Sequence, residues 1–293
     1  MNTDNTTIRT AAAAERKKMR GERLALLRRN PAFIVGSVLV LIWVFAALFG
    51  ELLVPIKPEE LDFMVTDLGP SSTHWFGTDS LGRDVFSRVV VGSRPIIVMA
   101  FCATILGTVV GTTIGLLTGY FKGKFDLIVM RILDAISALP VLILALLALA
   151  AVGGSSEVVT IMIIGFVFSP IIARTVRATV LGEAELDYVA AAKLRTEKTR
   201  HILFVEILPN VLPPIVVEFT IRLGYAVFAI ATLSFLGVGV ELGSPNWGSQ
   251  VSENYVGIFS SLWWATVFPA GAIATLAIGI NLLADGIMES FEL

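Results

Sequence analysis

Residues 187–210 read DYVAAAKLRTEKTRHILFVEILPN and lie between two long apolar runs of the chain. The segment is rich in Ala, Lys, Arg and Glu, which favour a helix, but it carries too many charges to cross a lipid bilayer. We call these residues the polar segment. The role of this polar stretch in an otherwise apolar chain distinguishes between the possible folds and functions.

The composition indicates an integral membrane protein. Hydrophobic residues make up 55% of the 293 residues, charged residues make up 16%, and the mean hydropathy is +0.81. A soluble domain carries about 25% charged residues, so too few charges remain here to cover a water-exposed surface. The chain has one cysteine, Cys102, which excludes an intrachain disulfide.

Six apolar runs approach the length of about 20 residues that crosses a ~30 Å hydrocarbon layer. The sequence therefore predicts an all-α integral membrane protein with six transmembrane helices. The predicted spans lie near Phe33–Val54, Ile96–Tyr120, Ala135–Val152, Val158–Ala173, Val211–Leu236 and Leu262–Ala284. The predicted organisation is a basic tail (1–30), a first transmembrane helix (31–54), an extracytoplasmic loop (55–94) and a core of five further helices (95–293).

Lys and Arg residues predict the orientation, because they accumulate in cytoplasmic loops. With six spans, both termini lie on the same side as the second loop and the polar segment, and these regions hold most of the 22 basic residues. Both termini and the polar segment are therefore predicted to be cytoplasmic.

The residues of the polar segment predict two short helices joined by a turn. Ala190, Ala191 and Ala192 form a patch of small side chains that is predicted to face outward. Thr196 is predicted to cap the second helix and Pro209 to end it. On these features alone, docking of another protein and a simple interfacial connection between two spans are equally supported.

The polar segment resembles the cytoplasmic signature loop of the permease subunits of ABC importers. The matching residues are Tyr188, Val189, Ala191, Ala192, Ile207, Leu208, Pro209 and Asn210. Ala190 stands where that family usually has Glu, and Thr196 stands where it usually has Gly. In the family this loop carries a coupling helix that seats in a groove of the ATP-binding subunit.

The resemblance implies a coupling loop over residues 182–210, between the fourth and fifth spans. The residues that it implies for contact with the ATPase are Tyr188, Val189, Ala190, Ala191, Ala192, Thr196, Leu208 and Pro209.

Three other stretches are similar to the second, C-type permease subunit of dipeptide and oligopeptide importers. They are HWFGTDSLGRDVFSRVVVGSR (His74–Arg94), LSFLGVG (Leu233–Gly239) with SPNWGS (Ser244–Ser249), and NLLADG (Asn281–Gly286). The first stretch also predicts local caps and ion pairs, including Asp84 with Arg88 at i, i+4 spacing.

The family resemblance implies half of a peptide channel in the bacterial inner membrane, driven by ATP. The chain contains no GxxxxGK[ST] phosphate loop, so it is predicted not to hydrolyse ATP itself and not to be an enzyme. No catalytic site is predicted, and one His with scattered carboxylates in the first loop does not predict a metal site. It is expected to bind no cofactor itself, with ATP and Mg held by partner subunits. The implied partners are a second homologous permease, two ATP-binding subunits, an extracytoplasmic substrate-binding protein and membrane lipid, but no nucleic acid.

Several alternatives stay open on the sequence. A secondary transporter or channel usually places charges inside its spans, and a membrane enzyme would need a convergent catalytic set, for which His74 and His201 are the only histidines. Within the family, the substrate could also be glutathione or a nickel complex.

Two patterns inside the predicted spans have structural interpretations. Gly107, Gly111, Gly115 and Gly119 recur every fourth residue and predict a closely packed helix face. Glu218 and Arg222 lie four residues apart and share a helix face near the bilayer middle, where a lone charge costs at least ~2.5 kcal/mol. They are predicted to form an intramembrane pair, either as a structural unit or as candidates for the border of a translocation path.

Overall fold

The computed structural model describes residues 27–152, 156–241, 243–260 and 262–291. Positions 1–26 of the predicted tail (1–30) therefore lie outside the described residues. Within these ranges the secondary structure is helical, apart from an isolated β-bridge between Thr78 and Asp84. The helices are α1 (Pro31–Leu53), α2 (Val85–Phe121), α3 (Gly123–Ser137), α4 (Val141–Val152), α5 (Glu157–Glu183), α6 (Asp187–Leu194), α7 (Thr199–Phe235), α8 (Trp247–Asn254) and α9 (Trp264–Phe291).

Five of the described helices are long and apolar enough to cross a membrane, namely α1, α2, α5, α7 and α9. The third predicted span, Ala135–Val152, is not one straight helix, because α3 and α4 meet at a bend of 88°. Pro140 lies directly before α4, and proline disfavours helical geometry in the residue before it. The count reaches six only when this bent pair is taken as one span.

Two other boundaries differ from the predicted spans. α2 begins at Val85, so the helix includes residues that the sequence assigned to the first loop. α5 extends to Glu183, well past the predicted end at Ala173. Charged residues near the helix ends lowered the local hydropathy in both places, although the helix itself continues.

The centre of the fold is the pair α2 and α5, and the predicted glycine face is confirmed there. A Cβ atom on Gly111 would lie 2.7 Å from the Ser169 carbonyl oxygen, and one on Gly115 would lie 2.8 Å from that of Ala173. Gly107 and Gly119 meet α5 in the same way. The absence of side chains on this face lets the two backbones approach closely, as in small-residue helix packing.

α7 continues without a break from the polar segment into the fifth predicted span. Residues Ile202–Ile207 have π-helical hydrogen bonds, and α-helical bonding resumes at Leu208. Pro209 therefore occupies the first turn of the resumed α-helix, where its missing N–H costs little. The prediction that Pro209 ends a short helix is wrong, and the result is a continuous helix of 37 residues.

Residues 74–84 form a compact turn that leads into α2. Asp84 is the N-cap of α2, and its carboxylate accepts hydrogen bonds from the N–H (2.8 Å) and hydroxyl (2.7 Å) of Ser87. Its other oxygen lies 3.0 Å from Nδ1 of His74. Because these contacts occupy the carboxylate, the predicted pair of Asp84 with Arg88 is wrong.

Arg88 instead joins the first loop to the region around α8. Its side chain is only 1% exposed, and it donates to the carbonyl oxygens of Pro58 and Ser244, both at 3.2 Å. It also lies 3.8 Å from the carboxylate of Glu253, which pairs with Arg83 at 2.5 Å. The start of α2, the first loop and α8 are thereby held together as one unit.

Candidate functional site

The polar segment begins with α6, an eight-residue helix. Asp187 lies in its first turn and Lys193 in its last turn, which suits the charges at the two ends of a helix. The N–H of Thr196 donates to the Lys193 carbonyl (3.0 Å), and the N–H of Glu197 donates to the Ala192 carbonyl (3.2 Å). This pair of bonds is the Schellman motif that closes a helix.

Thr196 occupies the left-handed position of that motif, with φ of 56°. This position usually requires Gly, because a β-branched residue is strained there. The prediction that Thr196 caps the next helix is therefore wrong, since the N-cap of the following helical turn is Lys198. The geometry also gives a physical reason for the Gly that Thr196 replaces in the family pattern.

The three alanines of the polar segment do not share one surface. Val189 and Ala192 are fully buried against the core, Ala191 is half-buried and Ala190 is exposed. Leu194 is 86% exposed. The predicted outward patch is thus corrected to Ala190 with Leu194, because an eight-residue helix lying on the protein must bury one of its faces.

Tyr188 connects α6 to both neighbouring helices. Its hydroxyl donates to the Glu183 carboxylate (2.6 Å) at the end of α5 and accepts from the Asn210 amide (3.0 Å) in α7. Burial raises the pKa of the Tyr188 phenol, and the hydrogen bond with Glu183 acts in the same direction. The phenol is therefore neutral near pH 7 and keeps the proton that this contact needs.

A second polar cluster closes the turn after α6. Arg195 donates to Glu197 at 2.8 Å and lies 3.7 Å from Glu206, and His201 lies 3.4 Å from Glu197. A ring nitrogen of His201 and one carboxylate oxygen each from Glu197 and Glu206 lie within 4.8 Å of one another. Within the described ranges this is the one group of three such possible metal ligands. Arg195 already pairs with both carboxylates, so the arrangement favours an internal ion cluster over a metal site.

Leu208 and Pro209 begin the α-helical part of α7, with Leu208 half-buried and Pro209 exposed. They follow the π-helical segment Ile202–Ile207, and the next residue, Asn210, is hydrogen-bonded to Tyr188 of α6. The assignment of the eight residues to ATPase contact stays a prediction.

Glu218 and Arg222 form an ion pair within α7. The Nε atom of Arg222 lies 2.6 Å from Oε1 of Glu218, and the Arg222 guanidinium lies 5.0 Å from the centre of the Tyr225 ring. Glu218 is only 8% exposed. At 1.5 Å per residue, Glu218 lies about 28 Å from the start of α7, near the middle of the helix.

A cavity of about 480 Å³ opens beside this pair, between α7 and α9. Tyr225, Phe228, Asn281 and Asp285 contribute to its lining. Tyr225 thus contacts Arg222 and also lines the cavity, whereas neither Glu218 nor Arg222 lines it. The site is an apolar recess with two polar groups from α9.

Sequence reasoning missed two of these relationships. The pairing of Tyr188 with Glu183 and Asn210 depends on how three helices meet, and no local spacing reveals it. The Arg195 cluster depends on the positive φ of Thr196, which turns the chain back. The charged residues in TEKTRH (residues 196–201) were a signal for local ion pairs. Which of them pair depends on the turn at Thr196, which the sequence did not show.

The comparisons with known proteins agree with this architecture. Residues 111–292 match the family described as "binding-protein-dependent transport system inner membrane component". Residues 22–70 match the "N-terminal TM domain of oligopeptide transport permease C". Together the two matches cover most of the chain.

Curated relatives and a solved structure agree with the family matches. The chain is 35% identical to the probable D,D-dipeptide transport system permease protein DdpC of Escherichia coli K12, over 97% of this chain and 95% of the relative. It is 35% identical to the dipeptide transport system permease protein DppC of Alkalihalophilus pseudofirmus (92% and 88% covered). It is also 35% identical to the glutathione transport system permease protein GsiD of Escherichia coli O6:K15:H31 (90% and 87% covered).

The fold is similar to a chain of the MetNI methionine ABC transporter in an inward-facing conformation. The TM-score is 0.57 at 21% identity, with 69% of this chain and 95% of that chain covered. At this identity the likeness concerns the fold alone, whereas the family matches concern the sequence. This multi-pass membrane protein therefore belongs to the family of binding-protein-dependent transport system inner membrane components, as a C-type permease of the peptide ABC importers.

Proposed function

We propose that this chain is one of two permease subunits in an ATP-driven importer of short peptides. It forms half of the channel in the bacterial inner membrane, with both termini in the cytoplasm. The other half is a homologous permease, two ATP-binding subunits supply the energy, and an extracytoplasmic binding protein delivers the peptide. ATP and Mg are held by the ATP-binding subunits, because this sequence has no phosphate loop.

One observation carries the proposed coupling to an ATPase. α6 is fixed on one side by buried Val189 and Ala192 and by the Tyr188 hydrogen bonds, while it presents Ala190 and Leu194 to solvent. The exposed Leu194 lies one helical turn from the small side chain of Ala190. Such a surface suits close approach by a partner groove.

The proposed cargo class comes from the relatives. Their printed names specify D,D-dipeptide, dipeptide and glutathione transport, and each of these molecules contains amide-linked amino acids. A nickel complex is the alternative within the family. The chain's own cavity supports the peptide class only in general terms, because Asn281 and Asp285 could meet the polar ends of a peptide.

A secondary transporter or channel is the weaker proposal. Such a protein would need no exposed docking helix, and its coupling charges would line a pathway. Here Glu218 and Arg222 neutralise each other at 2.6 Å. Family membership also favours an importer that is driven by partner subunits.

The proposal is tested by purifying the chain with its native partners and measuring ATP hydrolysis and peptide uptake. Ala190→Arg adds a bulky cation to the exposed face of α6 without disturbing its buried face. We expect normal membrane insertion, but at least a tenfold loss of ATPase recovery and uptake. Ala190→Glu restores the residue usual in the family and serves as the matched control, with activity retained. Normal uptake by Ala190→Arg would contradict the assignment of α6 as the docking helix.

A further inference from the structure

The direction of α3 differs from that of α4, the helix that follows it. α2 ends at Phe121, and both Lys122 and Gly123, the first residue of α3, adopt positive φ angles (53° and 63°). Gly123 has open space around its Cα, so its role is the backbone turn. α3 then meets α4 at 88°. If α4 follows the membrane normal, α3 lies along the membrane surface.

One side of α3 is fastened to α5. Arg177 donates to both carboxylate oxygens of Asp126, at 2.5 and 2.6 Å. Arg174 donates to the Leu133 carbonyl at 3.4 Å and lies 3.3 Å from Asp134. These contacts fix the rotation of α3 about its own axis, and therefore also fix which residues face away from the protein.

The opposite side of α3 carries an exposed apolar stripe. Its residues recur at intervals of three and four, which places them on one helix face. The stripe consists of Phe125, Ile128, Ile132 and Ile136, which are 37–58% exposed. No described part of the chain covers this face.

Lys124 and Arg131 flank the stripe on one side. They lie two helical turns apart, about 10 Å along the axis, and both are exposed. Within the described residues, neither makes a hydrogen bond or an ion pair. By contrast, the other basic residues around α3 are paired, Lys122 with Glu185, Arg174 with Asp134 and Arg177 with Asp126.

We propose that α3 is a binding site for an anionic phospholipid of the cytoplasmic leaflet. The apolar stripe lies against the acyl chains, as in an interfacial amphipathic helix. Lys124 and Arg131 bind the phosphate of the headgroup, to which the planar guanidinium can donate two hydrogen bonds. The side of the membrane rests on the orientation given under the proposed function.

The charges favour lipid over a protein partner. A second subunit on this face would have to supply acidic groups at two positions beside an apolar surface. An anionic leaflet supplies negative phosphate at one depth and hydrocarbon directly below it, and this matches the arrangement of cations along one edge of the stripe. Lipid is therefore the occupant that fits both features at once.

The test uses the complete importer complex in nanodiscs of phosphatidylcholine mixed with phosphatidylglycerol or with cardiolipin. Native mass spectrometry then measures which lipids stay bound. We expect the double variant Lys124→Gln, Arg131→Gln to retain at least tenfold less anionic lipid than the wild type. The matched control is Lys57→Gln, Arg94→Gln, which removes two exposed cations from the first loop and from α2 near its start, and it should retain wild-type levels.

The two anionic lipids distinguish the ligand. Equal losses of both would show recognition of a single phosphate, and a loss confined to cardiolipin would show recognition of its paired phosphates; either result supports the site. Wild-type retention of both by the α3 variant would overturn it. A disulfide between Ile128→Cys and the second permease in native membranes would overturn it as well, because the stripe would then be a protein interface.

The readout needs neither ATP nor transport. Ala190→Arg should therefore lose uptake but keep its bound lipid. The α3 double variant should lose bound lipid whether or not the complex transports peptide. Failure of the importer assignment and failure of the lipid site are thus separate results.

Discussion

The side-chain amide of Asn210 donates a hydrogen bond of 3.0 Å to the hydroxyl of Tyr188, from the far end of the polar segment. The same hydroxyl donates to Glu183 at 2.6 Å, so one phenol joins α5, α6 and α7. A movement of α6 on a partner would therefore be transmitted to α7 through side chains as well as through the backbone.

We predict that Tyr188→Phe weakens the connection between α6 and α7. The variant keeps the ring but removes both hydrogen bonds, each of which contributes about 0.5–1.5 kcal/mol. Peptide-stimulated ATP hydrolysis by the complex should fall roughly fivefold to thirtyfold, in line with one to two kcal/mol, while membrane insertion is unchanged. Tyr255→Phe, in the 3-10 turn Tyr255–Ser260, is the control. Wild-type stimulation in Tyr188→Phe would show that the phenol does not transmit movement.

We predict that Thr196→Gly makes the turn after α6 more stable. Thr196 has φ of 56°, and an L-residue with a Cβ atom loses about 1–2 kcal/mol in this conformation. Part of that gain is offset by the flexibility of Gly in the unfolded chain. Hydrogen exchange at the amides of residues 192–197 should slow severalfold. Thr199→Gly, at the start of α7, should instead speed local exchange, and the same direction in both variants would contradict the backbone explanation.

We predict that Gly115→Ala destabilises the contact between α2 and α5. A Cβ atom there would lie 2.7 Å from Cβ of Val176 and 2.8 Å from the Ala173 carbonyl oxygen, and such overpacking costs typically about 1–3 kcal/mol. The apparent Tm in detergent should drop. Gly271→Ala in α9 is the matched control, because its Cβ atom meets open space and Ala favours the helix by about 0.5–1 kcal/mol. Equal Tm values for the two variants would argue against close backbone packing.

We predict opposite accessibility for Ser80 and Lys198. Both residues are exposed in the fold, so a cysteine at either position can react once the reagent reaches it. In a Cys102→Ser background, a membrane-impermeant thiol reagent should label Ser80→Cys in intact spheroplasts and label Lys198→Cys only after lysis. The reverse pattern would invert the proposed orientation.

Hydropathy and local spacing predicted the features that depend on short stretches of sequence. The apolar runs gave five spanning helices, the four-residue glycine interval gave the packing of α2 on α5, and the spacing of Glu218 and Arg222 placed them together. Each of these needs only the geometry of a single helix.

Features that depend on direction or on distant contacts were missed. Hydropathy reports how apolar residues 123–152 are, but it does not show the 88° bend between α3 and α4. Residue type at Thr196 suggested a cap, although the Schellman motif placed it at a left-handed position. Pro209 suggested a helix end, although the π-helical turns before it allow α7 to continue.

The Glu218–Arg222 pair is nearly enclosed by protein, with 10% and 16% of the two side chains exposed. Removal of one partner from a buried pair leaves an uncompensated charge and costs about 3–5 kcal/mol, whereas removal of both can be close to neutral. Tyr225 contacts Arg222 and lines the cavity. The variants of Glu218 and Arg222 therefore also test whether the pair acts beside a translocation path.

We predict that Glu218→Gln and Arg222→Gln each lower the amount of assembled complex, and that the double variant partly restores it. Assembly is measured by size-exclusion chromatography and uptake by labelled dipeptide in proteoliposomes, so the coupling energy follows from the double-mutant cycle. Recovery of assembly in the double variant would identify a self-neutralising structural pair. Normal assembly with reduced uptake in both single variants, and no rescue in the double, would instead identify a pair beside the translocation path. Since the pair lies within hydrogen-bond distance and neither residue lines the cavity, we expect the first result. Normal uptake in both single variants would exclude the pathway role.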